Sequence, residues 1–354
     1  MARYGADGLE WVRTYEGRGE TQAVAFDPAG DLYVVPTVTP AGSDSPGVVL
    51  IKYDANGDLR WTAVWEGDST YGADARRVAV DKRGDVIVVA TETVIDDAGR
   101  LTAPAVVVLK YHGDGSLAWP AAATYEPAAG DASIRTFELS DAALDRAGDV
   151  YVCGTLYSHW RGVGGETAGH ALKLAGADGA LVASHTDELR PGTDSMFERI
   201  AVRGSRVAVV GMALDMAGNG GSSDTHGLVA GFDLGLQDVH RREWDPADTR
   251  YEAFNDAELD ARADVHLTGI QASPEATDLR AQAVTLKLDR SLSRVLWNAT
   301  YAPEGEDAGT YLMVRDTNGD VYVAGVRRTG ARAEWPTLDS QDFLTIKYSR
   351  TGRP

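Results

Sequence analysis

One phrase recurs along the chain: "FDPAGDLYVVP" at residues 26–36, "VDKRGDVIVVA" at 80–90, "LDRAGDVYVCG" at 144–154 and "RDTNGDVYVAG" at 315–325. Two looser copies, "VRGSRVAVVG" at 202–211 and "LDARADVHLTG" at 259–269, extend the series. With Asp27 as the marker, the equivalent positions are Asp27, Asp81, Asp145, Arg203, Asp260 and Asp316, spaced 54, 64, 58, 57 and 56 residues apart. A near-constant period of this size marks one supersecondary unit repeated, each copy burying its apolar surface against its neighbours. The 354 residues therefore count as one array, although length alone would suggest two or three domains.

Each unit reads as four short strands. An apolar first strand such as "AVAFD" is followed by a Gly-containing turn and a second strand such as "DLYVV". A longer polar loop leads to a third strand, "VVLIKY" at 48–53 or "VVVLKY" at 106–111, and then a turn such as "DANGDL" leads to a fourth, "RWTAVW". Gly and Asn at such turns supply the positive φ that tight hairpins need. The inner strands are apolar on both faces, so sheets must stack on both sides. Four-stranded sheets arranged radially satisfy this, and the expected fold is an all-β, six-bladed β-propeller with four antiparallel strands per blade. Blades are expected to start near 22, 76, 140, 198, 255 and 311. The chain ends in a third strand, "DFLTIKY", and opens with "RYGADGLEWVRTYEG", which matches a turn and fourth strand. Residues 1–17 are therefore expected to close the last blade, with 9–16 pairing beside 342–349.

The unit "D-x-x-G-D-V-Y-V-x-G … K-Y-D-x-x-G-x-x-x-W" resembles the SBBP repeat of bacterial and archaeal β-propellers over essentially the whole chain. The match is clearest in units one, two and six. Unit four departs from it, with Arg203-Gly204-Ser205 at the turn and His240 at the position of Trp61, and unit three has Val182 there. The resemblance implies an exported or cell-surface protein and supplies no catalytic motif. The chain itself carries no signal peptide at its start and no apolar run near 18 residues.

The net charge of −19, from 34 basic and 53 acidic residues, excludes the basic face that nucleic acid or an anionic membrane requires. The single cysteine, Cys153, permits no internal disulfide. It stands where other units carry Val35, Val89, Val210, Thr268 and Ala324, which makes it a small buried packing residue. Asp54-Ala-Asn56-Gly-Asp58 and Asp316-Thr-Asn318-Gly-Asp320 resemble calcium loops, but they lack Gly at the sixth position and Glu at the twelfth, and so read as hairpin turns. Trp11, Trp61, Trp119 and Trp297 recur at one repeat position, which points to packing between units.

Functional residues should differ between units while sharing a face. Loops from second to third strand, and from fourth to the next first strand, leave the same side of such a fold, and loops on a rigid scaffold carry function. Five and four positions ahead of each marker stand Gln22-Ala23, Arg76-Arg77, Ser140-Asp141, Glu198-Arg199, Asn255-Asp256 and Tyr311-Leu312. Arg77, Asp141, Glu198, Arg199, Asn255, Asp256 and Tyr311 are thus the candidate binding residues at the channel mouth. The competing reading is a self-neutralising plug that pairs Arg77 with Asp141 and Arg199 with Asp256. Tyr157, His159 and Trp160 form the rim candidates, next to Arg161, with Arg328, Trp335, Met212 and His226 on the same side.

Two functions fit. One is a monomeric, non-catalytic module binding a small polar ligand or a protein partner on the long-loop face, with no cofactor. The other is a hydrolase resembling the calcium-dependent lactonases and esterases of six-bladed propellers, in which Glu198, Asn255 and Asp256 would hold calcium; Arg199 beside them would repel the ion.

Overall fold

The computed structural model describes residues 2–5, 8–14, 19–39, 47–67, 72–92, 105–125, 133–160, 167–187, 193–215, 224–275, 278–304, 306–328 and 341–353. They contain strands and turns and no helix. The loops between second and third strands, which include Arg161 and Trp335, lie outside the described residues.

The chain opens with a hairpin of β1 (Ala2–Gly5) and β2 (Gly8–Val12). Four-stranded antiparallel meanders follow. The first is β3 (Gly19–Phe26), β4 (Leu32–Val38), β5 (Gly47–Tyr53) and β6 (Leu59–Trp65), and the second is β7 (Ala73–Val80), β8 (Val86–Glu92), β9 (Ala105–Tyr111) and β10 (Ala123–Tyr125). The third is β11 (Ser133–Leu144), β12 (Val150–Trp160), β13 (Thr167–Leu174) and β14 (Leu181–Thr186). An eight-stranded sheet comes next. It is two meanders, β15 (Thr193–Arg203), β16 (Arg206–Asp215), β17 (Asp224–Asp233), β18 (His240–Trp244) and then β19 (Tyr251–Leu259), β20 (Val265–Glu275), β21 (Asp278–Leu288), β22 (Val295–Tyr301). A single parallel bridge, Thr225 with Tyr251, joins the two. The last sheet has three strands, β23 (Asp307–Arg315), β24 (Val321–Arg328) and β25 (Gln341–Tyr348). The described chain divides into two compact units, Met1–Val150 with Leu156–Gly165 and Leu174–Leu181, and Tyr151–Thr155 with Glu166–Lys173 and Val182–Pro354.

The repeated Asp caps its own turn. The Asp27 carboxylate accepts the amides of Ala29 and Asp31 at 2.9 and 3.0 Å, and Asp54, Asp81, Asp145, Asp260 and Asp316 do the same in theirs. In this Asx-type turn the next-to-last residue must adopt positive φ, which is why it is Gly at 30, 57, 84, 148 and 319. The side chains of Asp54 and Asp316, the calcium-like positions, are thus committed to amide donors. The repeated Lys of the third strand straddles the turn acids: Lys110 lies 3.2 Å from Asp81 and 3.4 Å from Asp85, and Lys287 lies 2.8 Å from Asp260 and 3.1 Å from Asp264.

Second and third strands of the first two meanders are buried on both faces, β9 throughout, whereas β24 and β25 of the last sheet are partly exposed and fourth strands such as β6 and β22 alternate half-buried with exposed residues. One face of β4 and β5 (Tyr33, Val35, Val48, Leu50) packs on Ala73, Ala75 and Val78 of the next meander. Cys153 is among the buried residues. Between consecutive units the joint has a fixed form: a side chain of one donates to the carbonyl just past the first residue of the next unit's second turn. Lys52 and Trp61 reach Gly113 O, Lys110 and Trp119 reach Gly176 O, Tyr151 reaches Leu234 O, and Arg206 reaches Arg290 O. The indoles of Trp61, Trp119 and Trp297 lie over Gly115, Gly179 and Gly352, where a Cβ would stand within 3 Å of the ring.

The N-terminal hairpin repeats this chemistry. Arg3 and Trp11 both donate to Ala55 O, and Trp11 lies over Gly57. The expected pairing of residues 9–16 beside 342–349 is not among the described strand pairs: Gly8–Val12 pairs with Ala2–Gly5 in a two-stranded sheet, and β23, β24 and β25 form a sheet of three.

Candidate functional site

Every first strand whose register is described carries a β-bulge at the same place. The register shifts between Thr21 and Ala23, Ala75 and Arg77, Phe197 and Arg199, Phe254 and Asp256, and Thr310 and Leu312. The extra residues are Gln22, Arg76, Glu198, Asn255 and Tyr311, the positions that differ most between units. A bulge inserts a residue without a ladder partner and re-aims its side chain. It also explains the Gly that ends the phrase in the fourth, fifth and sixth units, where the first two have Pro36 and Ala90. Gly211, Gly269 and Gly325 sit opposite the bulge, where a Cβ would lie about 2 Å from the carbonyl oxygens of Met196, Ala253 and Gly309.

The bulge also corrects the strand starts. The first strands begin at 19, 73, 133, 193, 251 and 307 rather than near 22, 76, 140, 198, 255 and 311. The inserted residue inverts the in–out alternation, so residues before it fall out of phase and read as loop.

The charged residues beside the bulges are paired. Arg77 Nε donates to Asp141 Oδ1, and Asp141 is buried. Arg199 Nε lies 3.7 Å from Asp256 Oδ1. Asp256 is further committed, its Oδ1 accepting Ala257 N at 2.9 Å and its Oδ2 accepting Met313 N at 2.7 Å. The Asn255 amide donates to Thr310 O at 2.8 Å. Except for the local bond from Ala257 N, each of these contacts ties one unit's bulge to the first strand of the next.

Two bulge residues open onto cavities. Tyr311 lines a space of about 270 Å³ with Tyr251, Ile270, Asp307, Val326 and Arg328. Asp307 is oriented by Ala281 N, which donates to its Oδ1 at 3.0 Å. Burial pushes the Tyr251 phenol up, with the neighbouring Tyr311 and Glu198 adding to the effect, so these three groups share one locale. Arg76 lines a second space, of about 230 Å³, with Thr136, Phe137, Glu138 and Tyr157. There Tyr157 Oη donates to Glu138 Oε2 at 3.0 Å. His159 and Trp160 close β12, and their side chains lie outside the described residues.

Sequence reasoning missed Tyr251, Asp307 and Thr136. All three stand nine residues ahead of their markers, in the strand portion that the bulge puts out of phase. A repeat alignment carried past the bulge would have found them.

No protein-family model matches the sequence, and no curated protein matches it. Solved structures do resemble it. A protein of unknown function from Bacteroides caccae is 10% identical, with 91% of each chain covered and a TM-score of 0.41. A catalytically inactive virginiamycin B lyase from Staphylococcus aureus, solved with quinupristin, is 9% identical over 96% of this chain and 87% of that one, with a TM-score of 0.47. The GH93 α-L-arabinofuranosidase of Fusarium graminearum, solved with arabinobiose, is 9% identical over 86% and 88%, with a TM-score of 0.49.

Proposed function

We propose that the chain is a non-catalytic binding module for a small polar molecule with an apolar face, seated in the space walled by Tyr251, Tyr311 and Arg328. The carrying observation is that five units place five different residues at one fixed bulge, and that one of them, Tyr311, is 42% exposed against a cavity. Apolar walls with few convergent polar groups are what small-ligand sites use. The hydrolase alternative has less support. Asp256 accepts a main-chain amide on each oxygen and lies 3.7 Å from the Arg199 guanidinium, whose charge repels a calcium ion.

A thermal-shift screen of sugars, amino acids and small carboxylates on the full chain supplies a ligand for the test. Tyr311→Ala should then weaken binding at least tenfold, about 1.4 kcal/mol, with little change in melting. Asp256→Ala should lower the melting midpoint by stranding Arg199 and two amides. Binding that survives Tyr311→Ala, or that falls only in step with stability, rules this site out.

We infer further that the units close as a six-bladed ring of the SBBP type, with Gly8–Val12 serving as fourth strand to the last unit. Three observations support this. β25 is a third strand at the margin of its sheet, with Phe343 fully exposed. Val24 and Phe26 of β3 are 50% and 56% exposed, whereas Val78, the equivalent of Val24, is covered to 9%. Trp11 meets Gly57 and Ala55 O as Trp61 and Trp119 meet a glycine and a carbonyl of the unit that follows. The monomeric state follows from closure, which removes sheet edges, and the location outside the cell rests on the SBBP resemblance. Deleting residues 1–12 should lower the melting midpoint by several degrees and open the particle in small-angle scattering; a truncated chain that melts and scatters like the full one argues against closure.

A further inference from the structure

His226, Asp245 and Glu252 bring one ligand atom each within 4.8 Å of one another. We propose that they bind a divalent transition-metal ion of the zinc or manganese class, which clips the fourth meander to the fifth.

The topology builds the cluster. The single parallel bridge sets Thr225 of β17 beside Tyr251 of β19, so the next residues along each strand, His226 and Glu252, are neighbours on one face. β18 runs antiparallel to β17 with Trp244 opposite Gly227, which carries the following residue, Asp245, to His226. His226 Nδ1 lies 3.7 Å from Asp245 Oδ1. Three chain segments thus converge at the bridge that joins the two meanders into one sheet.

The side chains are left as a ligand would need them. Glu252 is completely buried, and neither carboxylate oxygen has a hydrogen-bond partner. The nearby Thr249 hydroxyl has a single proton, and it goes to Pro246 O at 2.9 Å. A buried carboxylate without donors is rare unless a cation supplies the missing interactions. His226 is also buried, and its Nδ1 is unpartnered. Its Nε2 faces Asp215 Oδ2 at 3.4 Å. A proton held on Nε2 by Asp215 leaves the Nδ1 lone pair aimed at Asp245 and Glu252. That is the arrangement in which a second-sphere carboxylate orients a metal-binding imidazole. Asp215, Asp245 and Glu252 face this one ring and Asp224 acts on Glu252, and among the described residues none of the four is ion-paired with a lysine or arginine. A dication balances that charge.

The donor set selects the ion class. One imidazole and two carboxylates suit zinc or manganese. Calcium asks for six to eight oxygens, and magnesium keeps most of its waters. Three protein ligands leave at least one position for water, so the site is reachable from solvent through the exposed Asp245.

The test uses the full chain, stripped with a chelator, desalted and titrated with zinc chloride by calorimetry. Manganese and calcium are run beside it, and cobalt reports coordination through its visible absorption. The expected result is one zinc per chain, a raised melting midpoint, and cobalt bands of four- or five-coordinate intensity. Affinity should fall about 100-fold or more in Glu252→Gln and in Asp245→Asn, in keeping with the loss of a direct ligand. Asp245 is exposed, so its variant folds as the parent does. His112→Gln, at an exposed histidine 2.9 Å from Asp85, should leave zinc binding unchanged. Binding unaltered in both cluster variants, no saturable zinc site, or calcium binding as tightly as zinc would each overturn the proposal.

Discussion

Replacing His266 with Tyr is expected to flatten the acid side of the stability profile. His266 stands where the first unit has Tyr33, and it packs edge-on to Trp297 at 5.8 Å as Tyr33 packs on Trp61 at 6.0 Å. Tyr33 Oη donates to the turn carboxylate of Asp27 at 3.3 Å. The imidazole is shorter: its Nε2 stops 3.6 Å from Asp260, and neither ring nitrogen finds a hydrogen bond. Burial, and then the positive charges of Arg315 and Lys287, push its pKa down to about 3, with only Asp260 opposing. The unfolded chain therefore takes up a proton near pH 6.5 that the folded chain refuses. Stability from this group is complete above about pH 6.5 and is lost progressively as pH falls towards 3, about 3 kcal/mol by pH 4.5. In His266→Tyr that loss should vanish, and the hydroxyl should recover the bond to Asp260. Urea unfolding of both proteins at pH 7.5 and 4.5 measures it. Glu252, which burial pushes up to about 7, acts with the opposite sign, its contribution fading as pH rises from 4.5 through 7. It is common to both proteins and cancels in the difference. An equal pH dependence in the two would show that His266 is not what the acid limb reports.

Trp119→Ala should be among the most destabilising single changes in the chain. The indole is 2% exposed, lies on Gly179 and donates to Gly176 O at 3.3 Å. Removing it leaves a cavity at a joint between units, at a cost of about 3–5 kcal/mol, while Lys110 still donates to Gly176 O. Trp61→Ala should cost less, because Trp61 is only half-buried and less apolar surface is lost with it. Equilibrium denaturation of the two variants orders them. A loss below about 1 kcal/mol for Trp119→Ala would mean that the joint is held by strand packing and that the ring is incidental.

The repeat was legible because its signals are local. The Asp that caps a turn, the Gly at positive φ and the Trp over the next turn each answer to neighbours at fixed offsets, so each recurs in the sequence. The candidate positions at the bulges were found for the same reason, as a place where recurrence fails. What could not be read was the pairing geometry. Nothing local marks a bulge except the Gly on the opposite strand, such as Gly269 across from Phe254, and that residue belongs to a different segment. Tyr251 and Asp307 were lost with the phase of the strand. The cluster at Glu252 depends on one parallel bridge between meanders, a contact no periodicity encodes.

The joints between units carry a further consequence for how such a chain can change over evolutionary time. Their acceptors, at Ala55, Gly113, Gly176, Leu234 and Arg290, are main-chain carbonyls, while the donors are Arg and Trp, Lys and Trp, Lys and Trp, Tyr, and Arg in turn. A socket made of backbone is present whatever residue occupies it, so each gene segment brings its own half of the fitting. Duplicating or deleting a whole segment then creates no mismatch that a second mutation must repair. Drift in a plug, as from Trp to Tyr or Arg, is tolerated as long as a donor still reaches.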